Sequence, residues 1–167
     1  MKELAELNTA WQPVLTNATK ILNGKSQVLD TATTANDFTS KMPVLNSRMN
    51  EVVNILTERN GSAGQVYIAT RQMLIADRMI RRVQEIVQGG ENAQSAADGF
   101  SRDAALYQAV LNGLIEGAPS MNIKSIDQAS ARDILADVSE QWTGLGETVQ
   151  KIIGASSSLR EIKLASD

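Results

Sequence analysis

VYIATRQMLIADRMIRRVQEIV, residues 66–87, is the stretch that decides the fold of this chain. Apolar or small residues recur along it in alternating steps of three and four without a miss. They are Val66, Ala69, Met73, Ala76, Ile80, Val83 and Val87. Such spacing gathers apolar side chains on one side of an α-helix, where they can pack against a core. The stretch therefore predicts a long amphipathic helix with a single buried seam.

Three further segments follow the same rule, at 42–56, 93–118 and 134–152, the last with one polar residue, Gln141, in its seam. Their seam residues are Met42, Leu45, Met49, Val52 and Leu56, then Ala93, Ala97, Phe100, Ala104, Tyr107, Leu111, Leu114 and Ala118, then Ile134, Val138, Gln141, Leu145, Val149 and Ile152. Glycine-containing breaks at 59–64, 88–92 and 116–130 separate the segments, and Ser62 is placed to cap the second helix. Pro13 and Pro43 lie within periodic stretches, so each is expected in a first helical turn or at a kink. The sequence therefore predicts an all-α protein, an elongated antiparallel four-helix bundle.

The composition limits the chemistry that this chain can perform. Its 167 residues include no histidine and no cysteine, which supply the commonest zinc ligands, the usual neutral-pH base and the thiol nucleophile. We therefore expect no enzyme activity, no catalytic residue, no metal site and no cofactor. A net charge of −3 argues against nucleic-acid binding. No run of about 18 apolar residues is present to span a membrane.

An internal repeat divides the chain into two parts. AWQPVLTNATKILNGKSQVL at 10–29 aligns with QWTGLGETVQKIIGASSSLR at 141–160, so that Trp11 matches Trp142 and Lys20 matches Lys151. We infer that residues 1–25 are the closing helix of an upstream, truncated bundle module and that residues 26–167 form a second module. Because no signal peptide is present, the chain is either cytosolic or a segment of a larger protein. The repeat favours a segment.

The region 65–123, QVYIATRQMLIADRMIRRVQEIVQGGENAQSAADGFSRDAALYQAVLNGLIEGAPSMNI, resembles the periplasmic sensor region of PilJ-type methyl-accepting chemotaxis transducers of type IV pilus systems. The similarity extends across nearly the whole chain. It implies the periplasmic portion of an inner-membrane receptor with tandem four-helix modules, whose membrane-spanning and cytoplasmic kinase-control regions lie outside these residues. It also implies a role in twitching motility and surface sensing through a histidine kinase pathway, with a pilin subunit as the suspected partner.

The charged residues of the 71–82 stretch form the candidate contact site. Heptad numbering from Val66 places Arg71 and Arg78 opposite the seam, with Arg81 and Arg82 beside them. We expect the set on the outer surface, either solvated or at a homodimer, ligand or partner contact. Its members are Arg71, Asp77, Arg78, Arg81 and Arg82.

The resemblance gives Arg78 a more specific interpretation. In related bundle sensors, an arginine in a motif that resembles SQRM faces the dimer partner and can bind a small anion with its symmetry mate. Arg78 in ADRM matches that arginine, but Ala76 and Asp77 stand where the motif has Ser and Gln. Asp77 can therefore replace the anion by a salt bridge within one chain or across the dimer.

Two classes of function remain open at this point. The first is a receptor sensor domain, which includes a chemoreceptor for a small anion or another small molecule. The second is a structural or adaptor bundle that only spaces its partners. Four aromatic residues are expected as core anchors rather than as ligand-stacking groups, namely Trp11, Trp142, Phe100 and Tyr107. Arg102 and Asp103 are expected as exposed helix charges.

Overall fold

The computed structural model describes residues 2–167, apart from the side chains of Lys2 and Ala5. Five α-helices occur in this range: α1 Lys2–Glu58, α2 Ala63–Gln88, α3 Ala93–Glu116, α4 Ala129–Gly144 and α5 Gly146–Ser166. A short 3₁₀ helix, Pro119–Met121, lies between α3 and α4. No β-strand is present in the described range, where Ala118 and Ile123 form only an isolated bridge. The prediction of an all-α protein is confirmed.

The second half of α1 packs with α2, α3 and the α4–α5 pair as a bundle. The chain reverses direction between α1 and α2, between α2 and α3, and between α3 and α4. α4 and α5 meet at Leu145 and together form the fourth leg along α1. Arg48 of α1 pairs with Asp137 of α4 at 3.2 Å, and Ile162 of α5 lies against Gly24 of α1. The single helix expected over 134–152 is therefore interrupted at Leu145.

The seams of α1 and α3 lie where the spacing predicts them. Met42, Leu45, Met49, Val52 and Leu56 have no exposed surface, and every predicted seam residue of α3 from Ala93 to Leu114 is buried. Phe38 meets Phe100 edge to face, with ring centroids 5.2 Å apart. Tyr107 packs against Trp142 with centroids 4.4 Å apart. Phe100, Tyr107 and Trp142 thus all lie in the core. Trp142, rather than the neighbouring Gln141, faces the interior.

The buried face of α2 differs from the predicted seam. Ala69, Ala76 and Val83 are buried as expected, but Val66, Met73, Ile80 and Val87 are only partly buried. The other buried positions are Gln72, Ile75, Met79 and Ile86. Gln72 is tolerated because its Nε2 donates to the Tyr107 carbonyl of α3 at 2.7 Å. α2 is apolar over a wide arc and can pack in more than one orientation. In the observed orientation, the edge that carries Gln72 and Met79 approaches α3.

Trp11 is the one predicted core anchor that the structure places outside the core. This residue is 58% exposed, and α1 is exposed at every position from 6 to 23. Pro13 and Pro43 lie in the interior of α1, so neither occupies a first turn. α1 also runs without interruption through residue 25, and the proposed module boundary therefore falls within a helix. That boundary stays a prediction.

The turns use the residues that the sequence offers. Ser62 caps α2 by a reciprocal pair of hydrogen bonds with Gln65, as predicted. Gly89 and Gly90 adopt positive φ angles of 69° and 83° at the end of α2, a conformation that favours glycine. No helix among the described residues is both long and apolar enough to cross a bilayer.

Candidate functional site

Two of the four arginines are directed towards α3 rather than outward. Arg78 donates to Asp103 through both Nε, at 2.8 Å from Oδ2, and Nη2, at 2.5 Å from Oδ1. Arg82 donates through Nε to the same Oδ2 at 2.8 Å. One carboxylate of α3 therefore binds two guanidinium groups of α2, one of them in the bidentate geometry that gives the strongest pairs.

Asp103 lies at the inner side of this cluster. Its side chain is 7% exposed, against 42% for Arg78 and 28% for Arg82. Burial by itself raises the pKa of Asp103, but the hydrogen bonds and positive charges of Arg78 and Arg82 outweigh burial. The pKa of this carboxyl therefore lies below its ordinary value of 3.8. The expectation that Asp103 is an exposed helix charge was wrong.

Gly99 makes room for the cluster. It lies one helical turn before Asp103, and a Cβ atom at this position would overlap the Arg82 guanidinium. The three heavy atoms nearest to that Cβ all belong to Arg82, with Nε at 2.8 Å. A glycine in the middle of α3 costs about 1 kcal/mol of helix stability relative to alanine. Because Gly99 has no side chain, Arg82 can cross the α3 backbone at this point and reach Asp103.

The remaining members of the predicted site lie apart from Asp103. Asp77 is exposed and accepts a hydrogen bond from Asn46 Nδ2 of α1 at 2.9 Å, rather than pairing with an arginine. Arg81 is exposed, and no carboxylate of the described chain lies within ion-pair distance of it. Arg71 extends over the Tyr67 ring, with its guanidinium carbon 5.6 Å from the centroid. The five residues therefore lie in four separate environments, and only Arg78 and Arg82 share one.

The sequence reasoning missed Asp103 as the partner of Arg78 and Arg82. The available signal was the spacing of Gly99 and Asp103, which places a small residue one turn before a carboxylate on the edge of the α3 seam. No group of three acidic residues in the described range could hold a metal ion. The arrangement provides a charge-assisted contact between α2 and α3 and an outer face that carries Arg71 and Arg81.

Replacing Asp103 with Asn should destabilise the bundle by about 1–3 kcal/mol at pH 7, because two charge-assisted contacts are lost. A lowered pKa in the folded state means that this contribution is complete above the ordinary pKa of 3.8 and is lost as the pH falls through the lower, folded-state value. Urea unfolding of both proteins at pH 7 and at progressively lower pH should show the difference shrinking below that point. Asp98→Asn, an exposed change on the same helix, is the control, and a difference that does not vary with pH would contradict the assignment.

The effect of Gly99→Ala on the free energy of unfolding should have opposite signs with Arg82 and with Ala at position 82. In the native chain the helix gains about 1 kcal/mol but loses an Arg82 contact of about 1.5–3 kcal/mol, so stability falls. In an Arg82→Ala background the same change should stabilise by up to about 1 kcal/mol. Gly154→Ala, where a Cβ would meet nothing within 4 Å, should stabilise in both backgrounds. Equal effects of Gly99→Ala in the two backgrounds would show that Arg82 does not occupy this space.

Two comparisons with known proteins bear on what this bundle belongs to. A protein of Alcanivorax borkumensis named as a methyl-accepting chemotaxis protein, AlkN, is 33% identical over 165 residues, which is 98% of this chain and 24% of that protein. PilJ of Pseudomonas aeruginosa is 34% identical over 146 residues, which is 87% of this chain and 21% of PilJ. No protein-family profile matches the chain.

The chain spans about a quarter of the length of these relatives. Within that span the similarity covers α1 to α5 and hence the complete bundle described above. The resemblance inferred from the region 65–123 is therefore confirmed, and the chain is a homologue of one region of the PilJ-type methyl-accepting chemotaxis transducers.

Proposed function

We propose that this chain is the periplasmic sensor region of an inner-membrane chemotaxis-type receptor that serves a type IV pilus system. The observation that carries the proposal is the similarity to PilJ and AlkN along almost the whole chain. Through cytoplasmic regions outside these residues, the receptor controls a histidine kinase pathway and, by it, twitching motility and surface sensing. The region itself is not an enzyme. It converts a contact into a displacement of helices.

The geometry of the bundle suits such a conversion. α1 and α5 lie side by side where Ile162 meets Gly24, and the connections 59–62 and 117–128 lie at the opposite end. A contact made at or near those connections can shift α1 against α5 along the bundle. Packed helices move between discrete arrangements with shifts of about 1–2 Å, which a continuous helix transmits over its length. α1 is 57 residues long and extends for about 85 Å.

The outer face of α2 is the proposed contact for a pilin subunit. Tyr67, Arg71, Leu74 and Arg81 are all exposed there. Tyrosine and arginine are enriched in protein interfaces. Arg71 and Arg81 have no carboxylate partner in the described chain and therefore favour an acidic surface. A homodimer through the same face would bring like charges together and would need an anion or a carboxylate between them.

Pilin lacking its hydrophobic N-terminal segment should bind this chain saturably in a titration. Arg81→Glu should weaken binding roughly three- to tenfold, as should raised salt, because an electrostatic contact is lost. Arg81 is the better probe than Arg78, since a carboxylate at position 78 would repel Asp103 and disturb the fold. Arg160→Glu, an exposed change on α5, is the matched control. No binding at high micromolar pilin would overturn direct pilin contact through this region.

We further propose that residues 1–25 close an upstream module that resembles residues 26–167. In the second copy of the repeat, Trp142, Leu145 and Ile152 are buried. Their counterparts Trp11, Val14 and Ile21 are exposed, with Leu4, Leu7 and Leu22 beside them on the same part of α1. An apolar stripe of this length on one helix is typical of an interaction surface. In this module, the helix equivalent to residues 1–25 is α5, which packs against α1 and α3. The equivalent surface of the upstream module would cover the exposed stripe.

In a longer chain that includes the residues preceding these in the receptor, Trp11 should become buried. A Trp142→Phe variant leaves Trp11 as the sole tryptophan, so its fluorescence can be read alone. The emission should shift to shorter wavelength, and acrylamide should quench it less, than in the 167-residue chain. A Trp11→Phe variant, which reports on the buried Trp142, should show no such change. Unaltered Trp11 emission would contradict the proposed upstream module.

A further inference from the structure

A cleft lies between α2, α3 and the connection that follows α3. Its volume is about 160 Å³. The buried side chains of Ile75, Val110 and Ile123 line its inner part. Tyr67, Arg71 and Leu106, which are exposed, line the part that opens to solvent. The cleft therefore combines an apolar interior with one positive charge at its edge.

Arg71 differs from the two arginines of α2 that bind Asp103. Arg78 and Arg82 each have that carboxylate as a partner. In the part of the chain that the structure describes, Arg71 has none, and its contacts are the Tyr67 ring and a long 3.4 Å approach to the Tyr67 hydroxyl. A guanidinium group beside an apolar surface pairs most strongly with a carboxylate, because the pair is partly shielded from water.

The volume of the cleft sets the size of the group that can be enclosed between α2 and α3. A buried apolar cavity of about 150 Å³ holds a benzene molecule, whereas drug-sized ligands occupy about 300–1,000 Å³. The space between α2 and α3 therefore fits a single ring or a branched chain of similar volume. Together with the charge of Arg71, this volume defines one ligand class.

We propose that this cleft binds a small carboxylate with an aromatic or branched apolar body, of which benzoate and phenylacetate are examples. The body packs against Ile75, Val110 and Ile123, and the carboxylate accepts hydrogen bonds from Arg71. This site is separate from Asp103 and its two arginines. It goes beyond the proposed pilin contact and does not require that contact.

A ligand in this cleft would contact three elements together, namely α2, α3 and the connection that follows α3. Ile126 N donates to the Leu114 carbonyl at 2.8 Å, and Gln65 Nε2 of α2 donates to the Ser125 carbonyl at 2.7 Å. These bonds hold the connection against the ends of α2 and α3, at the end of the bundle away from the α1–α5 contact at Gly24. A ligand here adds contacts between α2, α3 and the connection without touching α5.

Calorimetric titration and amide chemical-shift mapping of the 167-residue chain test the proposal with four probes. Benzoate and phenylacetate carry both the body and the charge, acetate carries only the charge, and benzyl alcohol carries only the body. We expect saturable binding of the two aromatic carboxylates with shifts centred on Tyr67, Arg71 and Val110. Benzyl alcohol should bind about tenfold more weakly, and acetate should not bind.

Two variants with matched controls separate this site from non-specific binding. Arg71→Gln should weaken benzoate about tenfold and leave benzyl alcohol unchanged, whereas Arg81→Gln on the same helix should leave both unchanged. Leu106→Trp fills the cleft from the exposed part of its lining and should abolish binding, whereas Leu74→Trp, exposed on α2 outside the cleft, should not.

Three results would overturn the proposal. They are the absence of benzoate and phenylacetate shifts at high millimolar concentration, equal benzoate affinity in the Arg71→Gln and native chains, and shifts that map to residues away from the cleft. Pilin binding is measured separately with Arg81→Glu, so the failure of one experiment does not imply the failure of the other.

Discussion

Burial of one apolar seam on each leg holds this bundle together, and the other features follow from that packing. Isolated helices are marginally stable in water, so the long helices here depend on tertiary contact. Phe38, Met79 and Phe100 are fully buried at the points where α1, α2 and α3 meet. Where α1 has no neighbour among the described residues, its apolar side chains remain exposed, with Trp11 as the largest of them.

The charge cluster at Asp103 depends on this packing. It separates the arginines of α2 into two that bind Asp103 and two that face outward. Once α2 turns its Gln72–Met79 edge towards α3, Arg82 lies at the edge of the core and Arg78 can reach across. A buried carboxylate would be costly alone, and the two guanidinium groups offset that cost. Arg71 and Arg81 are left on the outer face, where a partner or a ligand can reach them.

The candidate sensory features lie along α2 and at the end of the bundle away from the α1–α5 contact. Residues of α2, α3 and the connection 117–126 line the cleft beside Arg71. The outer face of α2 extends beyond this cleft to Arg81. α1 contributes to neither feature, yet it packs against α2 along the core. A change in the packing of α2 on α3 would therefore alter the contacts of α2 with α1, which is the helix that extends farthest from the bundle.

The sequence by itself determined the helical class, the seams of α1 and α3, the Ser62 cap and the resemblance to PilJ-type transducers, because each is carried by local spacing or by contiguous residues. It did not determine the orientation of α2, since that helix offers more than one apolar edge and Gln72 conceals the one that is used. Only the tertiary structure decided that Arg78 and Arg82 pair with Asp103 of α3 and that Trp11 is exposed. Asp103 lies 25 and 21 residues from its two partners, and the partner of Gln72 lies 35 residues away, so only the packing of α2 on α3 brings these groups together.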